Sequence, residues 1–160
     1  VVVPGNLSSP ERKAVTMLIE EVEKRTRICW QCTTTWPASG VPVIAVGPFR
    51  SLAAFGGRVQ SAGDVNAAEG YCIRSDALHQ AVHVIGNDER GVLYGVGHLL
   101  RNLRMEQGKV SLPADLHIST SPYYRLRGHQ TSYRDKVNSY DGWDLPQWEQ
   151  FQRSRRSPLR

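Results

Sequence analysis

Between Asp88 and Leu103 the chain carries apolar residues at Val92, Leu93, Val96, Leu99, Leu100 and Leu103, the three-and-four spacing of one helical face. Asp88 stands where an N-cap is needed. Gly91, Gly95 and Gly97 fall inside the same stretch, although each glycine costs a helix about 1 kcal/mol relative to alanine. A helix tolerates that cost when its backbone must approach a neighbour closely. The two runs before it, Gly70 to Arg74 and Gln80 to Ile85, are rich in β-formers and joined by the polar link 75–79. They predict an antiparallel hairpin. A helix pressed against a sheet is the frame into which the rest must fit.

The flanking segments supply the remaining layers. Val1-Val2-Val3 reads as a strand ended by Pro4-Gly5. Ser8 or Ser9 caps a helix, with Glu11 at the capping-box position from Ser8. Its apolar stripe is Ala14, Val15, Leu18, Ile19 and Val22. Ile28 to Thr35 reads as a second strand broken by 36–40, and Pro42 to Val46 as a strand covered on both sides. The stretch from Gly47 to Asn66 is mostly loop, and Val110 to Leu112 and Leu116 to Ile118 add short strands. The fold class is an α/β (α+β) two-layer sandwich: a mixed, largely antiparallel sheet with two helices on one face.

The 160 residues, 40% of them apolar, suit one domain with a short extension. No apolar run approaches the roughly 20 residues that cross a bilayer, which excludes a helical membrane span. The net charge of +5 invites a nucleic-acid reading, but Arg153, Arg155, Arg156 and Arg160 all lie in the last eight residues. Without them the chain is nearly neutral, whereas a nucleic-acid domain carries its basic face within the fold. No nucleic-acid partner and no membrane partner are expected. The chain opens on Val1 without a basic-then-apolar leader, so the expectation is a removed leader or a piece of something longer.

Composition shifts at Ser121-Pro122. From Tyr123 to Trp148 there are four Tyr and two Trp among many polar residues. Tyr124 to Gln130 reads as a strand, and Asp144-Leu145-Pro146-Gln147 as a capped helix start. The domain expectation is therefore a unit over 1–121, an unfinished β/α unit over 122–152, and a basic tail over 153–160. Such a stub cannot bury itself alone, so Tyr123, Tyr124, Trp143 and Trp148 should be partly exposed.

Several motifs with chemical potential reduce to structure. Cys29-Trp30-Gln31-Cys32 has redox or zinc spacing, but Thr33-Thr34-Thr35 after it favours extended backbone, which points the sulfurs to opposite faces. The only other cysteine is Cys72, and three cysteines make no disulfide framework. His79 and His83 are four apart but on or beside a strand, and read as a solvated sheet face. The glycines of 91–97 follow a helix start instead of preceding one, so they read as packing and not as a phosphate loop. Asp135, Asp141 and Asp144 read as loop or capping acids and not as a hydrolytic pair. No metal or cofactor is expected.

The loop from His129 to Trp143 is the most informative segment. It gathers Tyr133, Arg134, Asn138, Tyr140, Asp141 and Trp143 after a candidate strand, where parallel β/α architectures build binding sites. Aromatic faces with amides and guanidinium groups suit a sugar, and an Arg suits its carboxylate if it is acidic. An aromatic contact between domains is the equal alternative.

Two blocks resemble a known family. Glu69-Gly70-Tyr71-Cys72-Ile73-Arg74, Val84-Ile85-Gly86-Asn87-Asp88 and Arg90-Gly91-Val92-Leu93-Tyr94-Gly95-Val96-Gly97-His98 resemble the N-terminal α/β accessory domains of α-glucuronidases (glycoside hydrolase family 67) and bacterial β-hexosaminidases. Tyr124-Arg125-Leu126-Arg127-Gly128-His129-Gln130, Asn138-Ser139-Tyr140-Asp141 and Trp148-Glu149-Gln150 resemble the entry into the catalytic barrel of α-glucuronidase-like enzymes. The resemblance implies a non-catalytic domain packed in cis on a (β/α)8 barrel, with the catalytic carboxylates on later strands that this chain lacks. It implies carbohydrate, as in xylan degradation, as the substrate of the complete parent, and a secreted or periplasmic setting. Arg127 matches an Arg-Gly that often reaches the sugar, and His129, Tyr133 and Arg134 would line the same mouth. The alternative is a stand-alone module that binds carbohydrate or protein without catalysis.

Overall fold

The computed structural model describes residues 1–38, 40–55, 67–127 and 143–155. They divide into two compact units, Val1–Pro122 and Tyr123–Arg160.

The first unit opens with the segment Val1 to Val3, extended and wedged between two others. Val2 N donates to Ile44 O at 2.8 Å and Val46 N to Val2 O at 2.9 Å, while Val3 N donates to Thr33 O at 2.9 Å. Helix α1 (Ser9–Thr26) follows. The Ser8 amide donates to Glu11 Oε2 at 2.7 Å and the Glu11 amide donates back to Ser8 Oγ at 3.5 Å, a closed capping box. Arg27, left-handed at φ 63°, ends the helix and returns its amide to Glu23 O.

The main sheet contains β1 (Val43–Pro48), β2 (Tyr71–Asp76), β3 (Ala81–Gly86) and β6 (His117–Thr120), in the order β1-β3-β2-β6. The expected hairpin is β2–β3, antiparallel; β2–β6 is antiparallel too, and β1 runs parallel to β3. A 3-10 turn over Phe49–Phe55 leaves β1. Helix α2 (Glu89–Asn102) starts at Asp88, whose Oδ1 accepts the Gly91 amide at 2.8 Å and whose Oδ2 accepts the Glu69 amide at 2.7 Å. One carboxylate thus caps the helix and pins the loop before β2.

Both helices lie on one face of the sheet. Leu18 and Val22 of α1, Val96 and Leu99 of α2, and Val46, Tyr71, Ile73 and Val84 of the sheet form one buried cluster. A full aliphatic burial of this kind is worth about 1.5–3 kcal/mol. The glycines allow the contact: a Cβ on Gly91 would strike the carbonyl oxygen of Gly70, and one on Gly95 would lie 2.9 Å from Val84 Cγ1. The second face carries Val43, Ala45, Cys72, Ala81 and Ile85, covered by Val2, Phe55 and Trp36.

Three departures from the sequence reading have physical causes. Ile28 to Thr35 forms no strand among the described residues; only Thr33 bridges, to Val2. Its partner is three residues long, and Pro4 has no amide to extend the ladder. A strand β4 (Arg104–Glu106) pairs with β5 (Lys109–Ser111) across a turn in which Gly108 takes φ 73°, a conformation open to glycine. Tyr124 to Arg127, the described part of the expected Tyr124–Gln130 strand, contains no strand, and Arg127 bonds locally, to the Tyr124 carbonyl.

In the second unit, α3 (Leu145–Arg155) begins as expected. Gln147 N donates to Asp144 Oδ1 at 2.9 Å and Asp144 N donates to Gln147 Oε1 at 2.9 Å, a second capping box. Neither this unit nor the first contains a closed barrel among the described residues.

Candidate functional site

Of the four residues expected at a sugar-binding mouth, Arg127 is described. It is half-buried, and its Nη1 donates to the Tyr124 carbonyl at 2.7 Å, three residues back. His129, Tyr133 and Arg134 lie outside the described residues, as do Asp135, Asn138, Tyr140 and Asp141. Asp144 has the capping role expected of it. Trp143, Trp148 and Phe151 meet edge to face with centroids 5.1–6.0 Å apart, an aromatic cluster within one short stretch of sequence. Tyr123 and Tyr124 make a similar pair at 4.9 Å, yet remain 91% and 68% exposed.

The first unit has concave features of its own. An open cavity of about 680 Å³ lies between the sheet and the β4–β5 hairpin, lined by Cys29, Trp30, Ile44, Val82, Lys109 and Val110 among others. Cys29 and Cys32 are free and exposed. A smaller cavity, about 280 Å³, lies between Trp36 and the β2–β3 turn at Leu78, His79 and Gln80. No group of three His, Cys, Asp or Glu among the described residues is placed to hold a metal ion.

The histidines correct the sequence reading. His79 sits at the surface, as expected, with Nδ1 2.7 Å from Asp76 Oδ2, and this bond holds the Asp76 carboxyl below its ordinary value. His83 is not on a solvated face: it is 6% exposed and its ring meets that of Trp36 at 6.2 Å. Its Nε2 is buried with no hydrogen-bond partner among the described residues. Burial pushes the imidazole below the usual histidine range; Asp76 opposes this and Arg74 and His79 add to it. The signal missed in the sequence was the β-run itself: His83 alternates with Val82 and Val84 and so joins the Ala81–Ile85 face, which Trp36 covers. On the helix side, the Tyr71 hydroxyl lies 2.8 Å from His98 Nδ1, and burial pushes the phenol's pKa above its ordinary value while Arg101 opposes the shift.

No family model matches the chain, and no curated protein is similar to it in sequence. Solved structures do match in shape. A family GH115 4-O-methyl-α-glucuronidase with specificity for decorated arabinogalactans aligns at TM-score 0.58 and 15% identity over 76% of this chain. Over that stretch the chain shares the fold of part of this enzyme. A chitobiase from Flavobacterium johnsoniae aligns at TM-score 0.53 and 18% identity over 79% of the chain. A GH138 enzyme targeting pectin rhamnogalacturonan II aligns at TM-score 0.55 and 17% identity over 94%. The chain spans 16–18% of the length of these three. No helix among the described residues is long and apolar enough to cross a membrane.

Proposed function

We propose that the chain is the non-catalytic N-terminal part of an α-glucuronidase-like glycoside hydrolase: an accessory domain over 1–121, then the start of a catalytic barrel over 122–152. The observation that carries this reading is the pairing of a four-stranded mixed sheet, two helices on one face, with structural neighbours that act on polysaccharides and of which the chain covers 16–17%. A domain built to support chemistry elsewhere needs a rigid core and no converging acids. The first unit supplies the core, and its buried carboxylates are engaged: Glu11 by the Ser8 amide and by Arg50 at 2.7 Å, Glu21 by Arg25 at 3.1 Å. In the complete enzyme the domain would pack on the barrel in cis, and carbohydrate would reach the chain at Arg127, His129, Tyr133 and Arg134. A secreted or periplasmic setting fits polysaccharide breakdown.

A second reading is favoured by the exposure of Tyr123, Tyr124 and Leu126, at 91%, 68% and 93%. Exposed aromatic and apolar side chains in sequence mark an interaction site, as expected of a stand-alone module that binds carbohydrate or protein. One experiment separates the two. The 160-residue chain is mixed with a 4-O-methylglucuronosyl xylo-oligosaccharide while free uronic acid is assayed and amide NMR shifts are followed. The accessory-domain reading expects no uronic acid and weak, millimolar perturbations at the four named residues. Release of uronic acid overturns the non-catalytic assignment. Saturation at micromolar concentration without turnover puts the binding module first, and unmoved signals at all four residues remove them as sugar contacts.

A further inference from the structure

The second face of the sheet holds a device that neither reading uses. His83 sits in the middle of it, directly opposite Ala45 of β1 and Arg74 of β2. Above it lies Trp36, whose indole packs on the apolar cluster of that face. On either side of Trp36 the segment lies at the surface. Thr33 is anchored to Val2 and Val43 enters β1, but between them Thr34, Thr35, Ala38, Gly40, Val41 and Pro42 are exposed. Among the described residues of that stretch only Trp36 and Pro37 are partly covered.

We propose that His83 is a proton-operated latch: on acidification it takes up a proton, and the Trp36 segment leaves the sheet so that the new charge reaches water. The groups that face His83 among the described residues offer the proton no free anion. From β1 comes Ala45, and from the covering segment Trp36, both uncharged. From β2 come Arg74, a cation directly opposite, and Asp76, an anion already engaged by His79 from the turn beyond. A second cation beside Arg74, in a place with no partner for Nε2, is poorly accommodated. A cation within about 6 Å of an indole face is attracted to it, but at 6.2 Å and a 64° angle that gain is slight. The cavity of about 280 Å³ beside Trp36 gives water its approach.

The direction follows from linkage. In the closed form His83 is neutral, held there by burial. In the open form it titrates near the ordinary value of about 6.5. Below that value the open form binds more protons. The closed form is therefore fully favoured above about pH 6.5, and its advantage falls by up to about tenfold per pH unit below it. That loss ends where His83 becomes protonated even in the closed form.

The test follows the indole N–H resonances of the full chain from pH 7.5 to 4.5, with Trp36 assigned as the signal missing in Trp36→Ala. The latch expects the Trp36 signal to move with a midpoint below about 6.5 while the amides of β2 and β3 stay protected. His83→Gln, which takes no proton, should hold the Trp36 signal still. A Trp36 signal that does not move overturns the proposal, as does an equal transition in His83→Gln or simultaneous loss of β2–β3 protection. If His83→Gln does not fold, the imidazole of His83 is titrated directly in wild type and in Trp36→Ala. Uncovering the ring should raise its midpoint towards about 6.5, and an unchanged midpoint overturns the latch.

Discussion

Leu18 and Leu126 are the same side chain in opposite situations: one is 0% exposed between helix and sheet, the other 93% exposed in the segment after the sheet. The contrast extends to the two units that contain them. In Val1–Pro122 the contacts join residues far apart: Leu18 with Val96, Glu11 with Arg50, Tyr71 with His98. Among the described residues of Tyr123–Arg160, bonds and ring contacts join near neighbours, three to eight residues apart: Arg127 with Tyr124, Asp144 with Gln147, Trp143 and Trp148 with Phe151. Burial across long sequence distances makes a cooperative core. Local bonds alone make a capped helix, and α3, with 11 residues, is shorter than the roughly 12–15 at which isolated helices become stable in water.

The largest effect should come from testing that contrast directly. Leu18→Ala removes a fully buried side chain and should cost the first unit about 3–4 kcal/mol in urea unfolding, the range for leucine cavities in rigid cores. Leu126→Ala should change stability by less than about 0.5 kcal/mol. Equal costs for the two would mean that Leu126 is buried in solution and that the division into a cooperative and a local unit is false.

Next in size is Gly91→Ala. A methyl group there strikes the Gly70 carbonyl, so the helix must move off the loop. Overpacking of this kind costs about 1–3 kcal/mol, reduced by the roughly 1 kcal/mol that alanine returns in helix propensity. A net loss of up to about 2 kcal/mol is expected. A stabilised variant would show that close approach is not why glycine stands at this position.

Arg50→Ala should follow at about 1–2 kcal/mol. It strips the ion pair from Glu11, whose side chain is fully buried, although Arg50 itself is 53% exposed and its Coulombic share is screened. Arg50→Ala combined with Glu11→Gln should cost less than the two single changes together, since the amide needs no cation. Strict additivity would show that the pair is not coupled.

The same contrast explains what the sequence could tell. Helices α1 and α2 were legible because Ser8 and Asp88 cap them and their apolar residues recur on one face. The close approach of α2 was legible because Gly91 and Gly95 have no other reason to be there. The parallel pairing of β1 with β3 was not, because it joins residues 38 apart and leaves no local trace. Hairpin β4–β5 had a signal, Gly108 between two short polar-edged runs, that is weak beside the helix before it. The burial of His83 depended on Trp36 folding over the second face, a tertiary fact that alternation along β3 hints at only from the inner side. The candidate sugar contacts rested on a resemblance and on residue types, and of these Arg127 alone falls among the described residues.

The smallest expected effect is the most discriminating about the second unit. Asp144→Ala removes the acceptor for the Gln147 amide, and loss of such a cap costs about 1 kcal/mol of helix stability. In a cooperative fold that cost is diluted over the whole core and little helix is lost. In a helix sustained by its own cap and an aromatic cluster it falls on α3 alone, where about 1 kcal/mol is a roughly fivefold change in the helix population. Backbone chemical shifts over 145–151 should therefore move towards coil in Asp144→Ala, while the urea midpoint of the first unit stays put. A first-unit midpoint that drops with the cap would mean that α3 unfolds together with the sheet. The local bonds of 123–155 would then be the visible part of a larger cooperative interface, and the exposed tyrosines would have to be reread in that light.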